Sequence, residues 1–163
     1  MPGENNGCGA DTAVGGYAHG AEESLEKFGF YTSETKGTSM EPLFRTHRDT
    51  VLIVRPEGEL KKYDAALYRG GSGKYILHRV IAVREDCYII RGDNTFVREY
   101  VPKDRVIGVL SGFCRKGKNH SVDERGYRVY VRVWNFIYPF RAVVNFMLRA
   151  TRKVFRALFR RKK

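Results

Sequence analysis

Residues 74–94, "KYILHRVIAVREDCYIIRGDN", decide how this chain is read. Two runs dense in Ile, Val, Leu and Tyr, 74–83 and 87–93, flank a short charged interruption and end on Gly-Asp-Asn. β-branched and aromatic residues suit a pleated, half-buried backbone, and Gly, Asp and Asn suit the turns that punctuate it. Three further runs have the same texture: "TVLIVRP" (50–56), "AALYRG" (65–70) and "RVIGVLSGF" (105–113). Short strands at close spacing, with no long helix between them, predict a mainly β fold. The expected form is a compact antiparallel coiled β-barrel or sheet. No internal repeat is present.

The ends have a different texture. Residues 1–20 are rich in Gly, Asn and Ala and are expected to be a disordered leader. Residues 21–28, "AEESLEKF", read as a short helix with Leu25 and Phe28 on one side. The β body is expected over 21–118 and a helical, basic amphipathic segment over 119–163. Within that segment, 125–140 alternates like a strand at Tyr127, Val129, Val131 and Val133. It also lines one helical face with Tyr127, Val131, Trp134 and Tyr138, and the helix is the expectation. From 140 onward the period is plainly helical. Phe140, Val143, Val144, Met147, Leu148, Thr151, Val154, Phe155, Leu158 and Phe159 form one face. Arg141, Asn145, Arg149, Arg152, Arg156 and Arg160 form the other.

Charge is segregated along the chain, whose formal net charge is +12. Residues 1–35 hold Glu4, Asp11, Glu22, Glu23, Glu26 and Glu34 against Lys27 alone. Residues 141–163 hold Arg141, Arg149, Arg152, Lys153, Arg156, Arg160, Arg161, Lys162 and Lys163 and no acid. A basic segment of this kind meets phosphate, on lipid or on nucleic acid. The three cysteines, Cys8, Cys87 and Cys114, are odd in number and widely spaced, unlike a disulfide framework. No Cys/His spacing suits a metal, and no cofactor is implied. No signal peptide is expected, and the best candidate span, Val133–Leu148, is interrupted by Arg141, Pro139 and two asparagines.

The chemistry starts from "KGTSMEPLF" (36–44). Gly37 and Thr38 deliver the hydroxyl of Ser39, and Met40 and Pro42 follow at once. A serine becomes a nucleophile only when a base takes its proton. Of the four histidines, His19 lies in the leader and His47 and His120 lie in polar loops. Only His78 sits inside a β run, where alternation groups it with Ile76 and Val80 and places Leu77, Arg79 and Ile81 on the other face. Imidazole titrates near neutrality and can accept and return a proton. A nearby carboxylate would orient the ring, and Asp93 and Glu99 are both candidates.

In order along the chain, "GTSMEP", "RDTVLIV", "LKKYDAALYR", "YILHRVIAV" and "IIRGDN" resemble the signal peptidase I and LexA-like superfamily of serine peptidases. The matched boxes span about 36 to 112, nearly half the chain. Histidine at position 78, where many relatives carry lysine, resembles the endoplasmic-reticulum, archaeal and spore-former branch. The resemblance implies Ser39 as nucleophile and His78 as general base. It also implies two acids, one in the "GDN" box (Asp93) and one six residues later (Glu99), where the family's usual aspartate is glutamate here. Some relatives place a serine hydroxyl two residues before the nucleophile as an oxyanion donor. Gly37 occupies that position, so backbone donors around Gly37, Thr38, Ser39 and Met40 are expected to serve. Losing such a donor costs ~10²–10³ in rate where it is used.

The resemblance implies a peptide or preprotein substrate bound in extended form. Residues 140–163 are expected on an anionic membrane surface, peripheral and at the cytoplasmic face. Nucleic acid is not an expected partner, because the body lacks an aromatic-basic sheet code. Two alternatives keep the same fold: an inactive peptide-binding or scaffold member, and a self-cleaving regulator.

Overall fold

The structure, a computed structural model, describes residues 20–160, with side chains to 148 and at Thr151. The leader expected over 1–20 therefore lies, save Gly20, outside the described residues. The described residues fall into two compact units, one reaching Arg128 and the other beginning at Val129.

The first unit opens with helix α1 (Ala21–Phe28), stopped by Gly29 in the left-handed region at φ 77°. This conformation is open to glycine at no steric cost, which is why glycine so commonly follows a helix. Eight strands then form one antiparallel sheet: β1 (Phe30–Glu34), β2 (Thr50–Val54), β3 (Ala65–Arg69), β4 (Tyr75–Val83), β5 (Cys87–Arg91), β6 (Glu99–Pro102), β7 (Val106–Arg115) and β8 (Lys118–Ser121). A 3₁₀ turn, Lys103–Arg105, joins β6 to β7. The order is β1-β2-β7-β3-β4-β5-β6, and β8 hangs on β7. The long β7 pairs with β2 through residues 109–114, with β3 through 106–109 and with β8 through 112–115.

The sheet does not close. Among the described residues β1 and β6 end the path, and each pairs on one side only, so the barrel form of the expected fold is not realised. β6 has four residues and ends on Pro102, which has no N–H to offer a ladder and suits an edge. The mainly β body itself is as expected, and so are the short N-terminal helix and the C-terminal helices.

One core cluster lies on a single face of the sheet: Leu60, Ala66, Tyr68, Val80, Tyr88, Ile90 and Val101, flanked by Ile76, Val83, Val106 and Val109. The register makes it. Ala66 lies opposite His78, Val80 opposite Ile90, and Ile90 opposite Glu99. Paired residues share a face, so this core row runs directly into polar groups. Where α1 meets the sheet, Gly108 gives the clearance: a Cβ there would come within 2.4 Å of Ile53 and 3.4 Å of Leu25.

The second unit is helical. Helix α2 (Arg125–Phe136) crosses into it, settling the two-way reading of 125–140, and α3 (Tyr138–Arg160) follows with Pro139 in its first turn. Proline belongs there because the first N–H groups of a helix have no intrahelical partner. Among the described residues no helix is long and apolar enough to cross a membrane.

Candidate active site

Ser39 and His78 line one groove of about 860 Å³. Its walls come from the outer strand β1 and the loop after it, from Lys74–His78, and from Met40, Phe44, Val51, Ile53 and Leu67. Gly37, in the left-handed region at φ 81°, starts the turn that carries Ser39. The turn is tied from below. Thr46 Oγ1 donates to the Gly37 carbonyl (2.6 Å), and Thr35 Oγ1 donates to the carbonyls of Arg45 (2.8 Å) and Asp49 (3.1 Å). The fully buried Asp49 carboxylate accepts from the Arg45 N–H (2.8 Å) and from both arms of Arg48 (2.8 and 2.9 Å). Burial pushes that carboxyl up, but the hydrogen bonds from Arg48 and Arg45 outweigh it and hold Asp49 below its ordinary value.

The imidazole of His78 is buried and held from its Nδ1 side. Glu99 Oε1 lies 3.0 Å from Nδ1, and the Tyr68 hydroxyl donates to Glu99 Oε2 at 2.8 Å while lying 3.3 Å from Nδ1. An ionised carboxylate only accepts, so Nδ1 carries the proton and Nε2 keeps its lone pair. The Nε2 edge faces Gly92. A Cβ on Gly92 would sit 3.0 Å from His78 Nε2 and 2.6 Å from the Ser39 carbonyl oxygen. The imidazole and the backbone of the serine thus flank one glycine. Among the described residues no hydrogen bond joins Ser39 Oγ to the ring. Burial lowers the pKa of His78, and the charge and hydrogen bond of Glu99 recover only part of it. Burial, with the Glu99 carboxylate alongside, pushes the Tyr68 phenol well above its ordinary value, so it acts only as a neutral donor.

The two acids take different roles. Glu99 stands on β6 opposite Ile90, on the face of His78. Asp93 follows Arg91 and Arg79 on the other face, where Arg79 Nε and Nη2 bind its two oxygens at 2.7 Å each. Arg79 is wholly buried, and its remaining arm donates to the Tyr63 carbonyl (2.9 Å) and the Tyr127 hydroxyl (3.1 Å). Burial alone would lower the Arg79 pKa, but Asp93 more than reverses that and holds it above its ordinary value. The third member of the turn, Asn94, donates its N–H to the Ser39 carbonyl (2.7 Å) and its Nδ2 to the Thr38 carbonyl (3.2 Å).

Of the residues singled out from sequence, the structure brings together Ser39, His78 and Glu99, with Met40 buried in the groove wall and Gly37 and Thr38 exposed in the turn. Asp93 is turned away, toward Arg79. Tyr68, Arg79, Asn94 and Asp49 were not singled out. Period-two alternation with Ala66, which lies opposite His78, is the one signal that pointed at Tyr68.

Fold and site define a class: an open antiparallel β protein with a groove shared by a serine and a buried imidazole, the imidazole paired behind the groove with a part-exposed carboxylate. No protein-family model matches the chain, and no curated protein matches it. Among the described residues no group of three or more His, Cys, Asp and Glu is placed to hold a metal ion.

Proposed function

We propose that the chain is a serine endopeptidase of the signal-peptidase-like kind, with Ser39 as nucleophile, His78 as general base and Glu99 as the acid that orients it. The observation that carries this reading is the Glu99–His78–Gly92–Ser39 arrangement, in which a neutral Nε2 edge and the nucleophile's backbone meet at one glycine. His78 Nε2 takes the proton of Ser39 Oγ as the oxygen attacks the scissile carbonyl carbon. The Ser39 N–H donates to no other group among the described residues and is free to hold the oxyanion. Collapse of the tetrahedral adduct breaks the C–N bond, and His78 returns the proton to the leaving amine. Water, deprotonated by the same nitrogen, then hydrolyses the acyl-enzyme.

The substrate reads as an extended peptide. Among the described residues β1 is unpaired on its outer side, and β5 pairs with β4 only from Arg79 onward, which leaves an edge at Tyr75–His78. Both edges line the groove, so a peptide strand can add to them while apolar side chains enter between Met40, Phe44 and Ile53.

A second reading, an inactive peptide-binding member, draws on the missing Ser39–His78 hydrogen bond. Labelling with a fluorescent phosphonate that modifies nucleophilic serines separates the two. Wild type should label, and Ser39→Ala and His78→Ala should not. Absence of labelling in folded wild type from pH 5 to 9, with a membrane mimic present, would leave the binding reading.

A further inference from the structure

We propose that α3 lies in the surface of an anionic lipid bilayer, with its apolar face in the acyl–headgroup boundary and its basic face toward the headgroups. The exposure along this helix is inverted relative to a helix packed for water. Phe140 (72%), Val143 (62%), Val144 (57%) and Met147 (59%) are largely exposed, whereas Arg141 and Asn145 are only partly so. Exposed side chains of this size in one contiguous stretch mark a surface that meets something apolar. The helix is 23 residues long, and the sequence alone repeats the apolar spacing as far as Val154 and Leu158.

Charge selects the occupant. From Arg125 to Lys163 there is no acidic residue at all. A second copy of this helix, packed apolar face to apolar face, would leave both basic faces without any counter-charge. Nucleic acid would satisfy the bases and leave the apolar face in water. An anionic bilayer satisfies both at once, which is the chemistry of interfacial helices. The same residues argue for lying on the membrane over spanning it, since α3 is not apolar enough to cross. Trp134 adds an interfacial group: Tyr130 stacks on it at 5.9 Å, and the Arg141 guanidinium lies 3.8 Å above its ring. Amphipathic aromatic rings concentrate at the headgroup level.

Trp134 is the sole tryptophan and reports the outcome directly. The full chain would be mixed with vesicles of phosphatidylcholine containing phosphatidylglycerol, and with pure phosphatidylcholine vesicles. Expected are co-sedimentation with the anionic vesicles, a blue shift of Trp134 and its quenching by brominated lipid. Arg152→Gln and Arg156→Gln should each weaken partitioning about five-fold. Val143→Gln with Met147→Gln, both at exposed positions, should abolish the blue shift. Ser39→Ala should bind as wild type does, so the result does not depend on the proteolytic reading. The proposal fails if wild type stays in the supernatant of both vesicles. It also fails if the chain is a dimer that the Val143→Gln/Met147→Gln variant splits, or if duplex DNA outcompetes vesicles and that variant binds it unchanged.

Discussion

His78 is set by contributions that oppose one another. Burial favours the neutral ring, and Glu99 favours the charged one. Burial prevails, so the acid limb of labelling or of kcat/KM should lie below the ordinary imidazole value of 6.5. Glu99→Gln removes the opposing charge and should move that limb lower still. It should also cut the rate by ~10²–10⁴, because an amide can donate to Nδ1 and move the ring's proton to Nε2. A pH–rate profile of both proteins checks this, and a limb that rises in the variant would contradict the geometry. Tyr68→Phe removes the hydroxyl that holds Glu99 and should cost roughly 1.5–3 kcal/mol at the site, ten-fold or more in rate. At this scale the meeting of Ser39 and His78 in one groove was legible, since His78 is the one histidine that alternation places inside a β run and the ordered motifs tie it to Ser39. The choice between Asp93 and Glu99 was not legible. It rests on which face each strand position takes, and that follows from the pairing of β5 with β4 and β6.

The turn Gly92-Asp93-Asn94 shows how one short segment serves the site and the fold together. Gly92 leaves room between the His78 ring and the Ser39 backbone, Asp93 neutralises the buried Arg79, and Asn94 clamps the Ser39 loop. Gly92→Ala should keep the chain folded but lose labelling by ~10²-fold, since a misplacement of about 1 Å is enough for that. The clash is with backbone oxygen, which a rotamer change does not relieve. Asp93→Asn should act differently. It leaves the buried Arg79 with charge-neutral partners alone and should destabilise the fold by about 3–5 kcal/mol, read from the urea midpoint. If Asp93→Asn instead abolished labelling at full stability, Asp93 would belong to the chemistry. Strands β2, β3, β4, β5 and β7 stood out in the sequence because both their faces carry apolar residues. β1, β6 and β8 did not. Their sequences, "FYTSE", "EYVP" and "KNHS", are mostly polar or short, and they exist because a neighbouring strand supplies the ladder. The β7–β8 hairpin depends on Lys116 and Gly117 both at positive φ, a turn that "RKGK" hardly announces.

Across the whole molecule the buried ionisable groups make stability depend on pH in two steps. His78 has a lower pKa folded than its ordinary 6.5, so the unfolded chain binds the extra proton more readily. Its contribution is complete above 6.5 and falls away as pH drops below that value toward the folded pKa. Asp49 is also lowered, from an ordinary 3.8, but it is a carboxylate. Its contribution is complete above 3.8 and is lost only as pH falls through its folded value. Urea midpoints should therefore hold level from pH 8 to about 6.5, decline gently below it, and fall again below about 4. His78→Gln removes the first titration and should flatten the upper decline while leaving the lower one in place. The same variant abolishes labelling if His78 is the base, so one protein links the pH dependence of folding to that of the chemistry. A decline between 6.5 and 5 that persists undiminished in His78→Gln would assign it to other groups and detach the buried imidazole from the acid sensitivity of the fold.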